Sequence, residues 1–124
     1  MRRIASSTTL GALAALLGAA LSGLLPRAGA HAAVERVIHV TAKRFAYEPS
    51  EITVKQGEPV VLEIESTDRE HGFRLPALHL RADIAPGQTV RVPLVATQKG
   101  RFPFACDVFC GSGHEDMAGE LVVE

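Results

Sequence analysis

The chain is poor in cysteine, in basic charge and in repetitive sequence, and each shortage excludes something. It has only two cysteines, Cys106 and Cys110, both in one late loop. It has no internal repeat, low-complexity segment or second domain, so 124 residues read as one domain plus an extension. Of the thirteen Lys and Arg, three (Arg2, Arg3 and Arg27) lie in that extension, which holds none of the fourteen Asp and Glu. Ten basic residues then face fourteen acidic ones after residue 32, a net charge of −4. That balance argues against nucleic acid and against anionic membrane surfaces as partners. Nothing supports hydrolytic or nucleophilic catalysis, because the cysteines have a better use as ligands and Ser112 lacks a base arrangement.

Long apolar runs are also scarce, with one exception. Leu10 to Leu25 is built almost wholly of Leu, Ala and Gly, behind the basic start Met1-Arg2-Arg3. Pro26, Arg27 and the small residues Ala28 to Ala32 follow. Basic start, apolar run and A-x-A site form the order of a secretory signal peptide, here residues 1–32 with cleavage after Ala32. The alternative is an uncleaved anchor. Sixteen residues from Leu10 to Leu25 make a helix of about 24 Å, short of the ~30 Å hydrocarbon core. Either way, residues 33–124 are expected to be exported and to work in the periplasm or another extracytoplasmic space, tethered to the inner membrane only if the anchor persists.

After Ala33 the pattern is that of strands. Val37 to Thr41, Phe45 to Tyr47 and Ile52 to Val54 are short β-prone runs separated by turn residues. Val60, Leu62 and Ile64 alternate with Val61, Glu63 and Glu65, which predicts a strand with one wet face. Gly72 to Leu75 and His79 to Ala82 flank Pro76. Val90, Val92 and Leu94 alternate with Thr89, Arg91 and Pro93, and the proline predicts an edge or a bulge. Arg101 to Ala105 and Gly119 to Glu124 bracket the late loop. With no helix pattern outside the extension, the fold class is all-β, a β-sandwich.

The late loop reads C-x-x-x-C-x-x-x-H-x-x-M from Cys106 to Met117. Two thiolates, an imidazole and a thioether make a soft donor set suited to copper. Three other readings use some of the same residues. A disulfide between Cys106 and Cys110 needs neither His114 nor Met117, and so short a loop gains little chain entropy. Zinc needs no methionine and favours tighter cysteine pairs. A mononuclear blue-copper site needs only one thiolate and would leave Cys106 as an oxidisable spare. A second histidine must come from upstream. His71 stands where the polar loop Thr67 to Glu70 meets the apolar run beginning Gly72-Phe73. His39 and His79 read as strand or surface residues.

His71-Gly72-Phe73, together with the Cys106, Cys110-Gly111, His114 and Met117 spacing, resembles the CuA domain of cytochrome c oxidase subunit II. The resemblance extends to Phe45 to Pro49, Ile52 to Gly57 and Ile84 to Gln88, and spans roughly Val37 to Glu124. It implies a Greek-key, cupredoxin-like sandwich over residues 33–124 carrying two copper ions. Cys106 and Cys110 would bridge the coppers, and His71 and His114 would each terminate one. Met117 and the backbone carbonyl of Val108 would be weak ligands. The implied activity is one-electron transfer, with a c-type cytochrome or a terminal oxidase as redox partner. Gly111 and Gly113 would let the loop bend, and Phe102, Phe104 and Phe109 are expected to supply a dry shell.

The chain departs from that family at two telling places. Val108 stands where respiratory subunit II commonly has a glutamate that helps bind magnesium, and there is no tryptophan to receive electrons from cytochrome c. Nor does the sequence contain a pair of long transmembrane helices. These departures favour a free or singly anchored carrier. The rival functions are a periplasmic protein that stores or delivers copper, and subunit II of a short-form terminal oxidase.

Overall fold

A computed structural model describes residues 34–124. The predicted leader, residues 1–32, lies outside the described residues. Among the described residues, nine strands form two facing sheets: β1 (Arg36–Lys43), β2 (Ala46–Glu48), β3 (Glu51–Val54), β4 (Pro59–Ser66), β5 (His71–Leu75), β6 (Leu80–Ile84), β7 (Thr89–Val95), β8 (Gly100–Ala105) and β9 (Ala118–Val123). Single 3-10 turns at Pro76–Leu78 and His114–Asp116 are the only helical elements among the described residues. One sheet runs β2-β1-β4-β7 and the other β3-β9-β8-β5-β6. The β1–β4 and β3–β9 pairs are parallel, whereas the others are antiparallel. The chain therefore crosses between sheets repeatedly, giving a cupredoxin-like β-sandwich.

Period-two alternation places the core. Val60, Leu62 and Ile64 of β4 face Ile52, Leu121, Phe73 and Phe104 from the opposite sheet, all buried. Each large apolar side chain buried this way contributes roughly 1.5–3 kcal/mol. The wet face of β4 is not wet throughout. Val61 is buried too, because its register partners on either side are Val37 and Pro93, an apolar row across the sheet. Pro93 lies on β7, an edge strand, as its missing N–H demands.

The strand directions gather four segments at one end of the sandwich. β4 ends there at Ser66 and β5 begins there at His71, while β8 leaves at Ala105 and β9 returns at Ala118. The loops 67–70 and 106–117 therefore meet.

Candidate metal centre

The loop 106–117 is closed at its base by the Cys106 N–H, which donates to the Met117 carbonyl at 3.0 Å. Within it, the His114 N–H donates to the Gly111 carbonyl and the Met117 N–H to the His114 carbonyl, each at 3.1 Å. These bonds coil the chain so that Cys110, His114 and Met117 turn toward one point. Gly111 and Gly113 have φ of 130° and 104°, which side-chain-bearing residues rarely adopt. The half-buried Phe45 ring lies against both: a Cβ would sit 3.3 Å from it at Gly111 and 3.0 Å at Gly113.

The donors converge. Ligand atoms of His71, Cys106 and Cys110 all lie within 4.8 Å of one another, and all three residues are buried. The Cys110 sulfur is 3.5 Å from His114 Nδ1 and 3.9 Å from the Met117 sulfur. The Val108 carbonyl lies 3.2 Å from the Cys106 sulfur and accepts its S–H. Both cysteines are free thiols, so the disulfide alternative is not formed here. All six predicted positions thus gather at one site. His39 is elsewhere, on the outer face of β1 with its side chain 80% exposed, 3.2 Å from Glu63. His79 is exposed and follows the 3-10 turn Pro76–Leu78 at the far end of β5.

His71 is the most telling member. It is fully buried, and its Nε2 is hydrogen-bonded at 2.6 Å to Asp68 Oδ1. Its Nδ1 is buried with no hydrogen-bond partner. A buried polar atom without a partner is costly. The hydrogen bond to the Asp68 carboxylate, which can only accept, keeps the proton on Nε2 and leaves the Nδ1 lone pair free, the arrangement a metal-binding imidazole needs. Asp68 is itself held by the N–H groups of Arg44 at 2.8 Å and Arg69 at 2.7 Å. Partial burial pushes the Asp68 carboxyl up, but those N–H groups and the His71 ring outweigh it and hold it below the usual carboxylate range.

Two groups near the sulfurs add to the setting. The Gly72 N–H donates to the Cys106 sulfur at 3.3 Å. The Gly72 carbonyl accepts the buried Tyr47 hydroxyl at 2.5 Å. Burial, followed by the neighbouring Cys106, pushes the Tyr47 phenol well above its usual value, so it stays a neutral donor. Burial also raises the Cys110 thiol, with Cys106 beside it as the next cause. A soft cation would replace those thiol protons and offset the cost of two buried sulfurs. The donor set fits copper on these grounds.

The dry shell differs from the expected one. Phe104 is buried, but Phe109 is 72% exposed and only flanks His114, with ring centroids 5.9 Å apart. Phe102 is half-buried near the other end of β8. Phe109 points outward because its neighbour Cys110 points inward on a tight turn. The shell is instead Tyr47, Phe73 and Phe104, packed edge-on or tilted with centroids 5.0 to 6.1 Å apart. Asp68, Phe45 and Tyr47 were missed as site residues. The aromatic run Phe45 to Tyr47 is the sequence signal for two of them, and Asp68 lies in the polar loop just before His71.

Comparison with known proteins agrees with the geometry. The Cupredoxin-like domain family matches residues 12–123. Cytochrome c oxidase subunit 2 of Thermus thermophilus is 33% identical over 87 residues, covering 70% of this chain and 64% of that protein. Nitrous-oxide reductase of Stutzerimonas stutzeri is 32% identical over 91 residues, covering 70% of this chain but 14% of that enzyme. The chain thus spans less than two thirds of the length of these curated relatives. The periplasmic domain of subunit II of cytochrome oxidase from Bradyrhizobium japonicum superposes with a TM-score of 0.67 at 20% identity, covering 72% of this chain and 83% of that one. At that identity the likeness is one of fold.

Proposed function

The chain belongs to the cupredoxin-like domain family, and from that membership we propose that it is a copper protein that transfers single electrons through a dinuclear CuA-type centre. The observation that carries the reading is the buried, unpartnered Nδ1 of His71, a residue whose ring nitrogen lies within 4.8 Å of two free buried thiols. Cys106, Cys110, His71 and His114 would hold the two copper ions, with Met117 and the Val108 carbonyl as weaker donors. When bound, the coppers would supply a one-electron couple with no bond made or broken in a substrate.

The chain's own residues then do three things. Asp68 fixes the His71 tautomer and orientation. The Gly72 N–H withdraws charge from the Cys106 sulfur, a recognised lever on the potential of a thiolate-bound metal. Tyr47, Phe73 and Phe104 keep water from the inner side, and Phe45 backs the loop. The partner is a redox protein, either a c-type cytochrome or a terminal oxidase. Residues 1–32 direct export as a signal peptide or stay as an anchor. Among the described residues, no helix is long and apolar enough to cross a membrane.

Cys106→Ser tests the reading. It should lower copper from two ions per chain to one or none; two retained ions would refute a bridging Cys106. Copper delivery is a second reading. The same two buried thiols could hold Cu(I) and pass it to an acceptor. Rapid loss of copper to an acceptor protein would support delivery. Retention through repeated oxidation and reduction would support electron transfer.

A further inference from the structure

Asp107 lies between a thiol, Cys106, and a carbonyl donor, Val108, yet it is not itself in the donor set. Its Oδ2 accepts the Arg81 Nε–H at 2.6 Å, and the same guanidinium donates from Nη2 to Asp83 Oδ1 at 2.8 Å. Arg81 therefore spans a carboxylate of the loop and a carboxylate of β6. It does so against a local penalty, because Arg74 is its register partner on β5 and like charges directly opposite repel.

The same turn is also pressed onto β5. A Cβ at Gly72 would lie 2.1 Å from Asp107 Oδ1, 3.1 Å from the Asp107 nitrogen and 3.1 Å from Val108 Cγ2. A side chain at this position would push the Asp107 carboxylate and backbone aside, so glycine favours the approach, and the Gly72 N–H reaches the Cys106 sulfur. The turn is thus held by its close seat on the Gly72 backbone and by the ion pair of Asp107 with Arg81.

We propose that Arg81 is a positioning residue for the metal centre: acting through Asp107, it clamps the Cys106–Val108 turn onto the β5–β6 edge and sets where the Val108 carbonyl stands over the sulfurs. The inference rests on the copper reading for its consequence. An ordinary surface ion pair would matter equally with and without metal, whereas a clamp on a ligand-bearing turn matters chiefly when metal is held.

The test uses the copper-loaded protein and its metal-free form. Arg81→Ala, whose side chain is 47% exposed in the parent, leaves the core intact. It should speed copper loss to excess Cu(I) chelator by about two- to five-fold, the range of a partly exposed pair. It should also shift the copper EPR hyperfine pattern while leaving the metal-free melting temperature unchanged. Asp107→Asn should do the same, the double variant should be no faster than the worse single, and Arg81→Lys should restore part of the effect. Unchanged release and spectrum in Arg81→Ala would overturn the proposal. So would additive single effects, or an equal loss of stability in the metal-free protein. A single copper per wild-type chain would refute the dinuclear reading alone, because the release rates still decide the role of Arg81.

Discussion

Replacing Asp68 by asparagine keeps the size of the side chain and removes one property, two equivalent acceptor oxygens. Oδ1 now serves His71 Nε2 at 2.6 Å and the Arg69 N–H at 2.7 Å, while Oδ2 serves the Arg44 N–H at 2.8 Å. Asparagine has one oxygen. If it faces Arg44, its NH₂ confronts His71 Nε2, and the ring is driven to the tautomer with hydrogen on Nδ1, the atom that would bind copper. If it faces His71, the Arg44 N–H loses its partner and the ring loses a charged acceptor. Copper affinity should fall about 10- to 100-fold, or roughly 1.4–2.8 kcal/mol. Competitive titration against a Cu(I) chelator measures it. An affinity within twofold of the parent would refute the role given to Asp68. The pH dependence follows from the depressed Asp68 pKa. A lowered folded-state pKa contributes stability above the unfolded value of about 3.9, and that contribution is lost as pH falls through the folded value. The difference in melting temperature between parent and Asp68→Asn should therefore be full at pH 7 and shrink below about pH 4.

The two upstream histidines should separate cleanly. His71→Ala should weaken copper binding strongly, whereas His79→Ala, at an exposed site beyond β5, should leave it unchanged by the same titration. Gly72→Ala should cost about 1–3 kcal/mol, because the methyl meets the Asp107 backbone as well as its flexible carboxylate. It should also loosen metal binding; thermal melts with and without copper would show both effects.

Most of the strands were legible because alternation is a local signal. Val60, Leu62 and Ile64 announced the inner face of β4, and Pro93 announced an edge. The donors were legible for a different reason: Cys106, Cys110, His114 and Met117 are close in sequence, and His71 stands at a loop-to-strand junction. What stayed hidden depends on distant pairing. Phe45 backs Gly111 and Gly113 from the other side of the chain, and Arg81 reaches Asp107 across 26 positions. No window of sequence contains both partners. The outward turn of Phe109 is not legible in the sequence, because hydrophobicity alone does not report which way a tight loop points a ring. The burial of Val61 is hidden for the same reason as the distant pairs, because its cover comes from two other strands.

The most direct test of a dinuclear centre is copper analysis of the loaded protein combined with its EPR spectrum. Two coppers per chain should share one unpaired electron and give a seven-line hyperfine pattern. One copper per chain with a four-line pattern would contradict the bridging roles of Cys106 and Cys110.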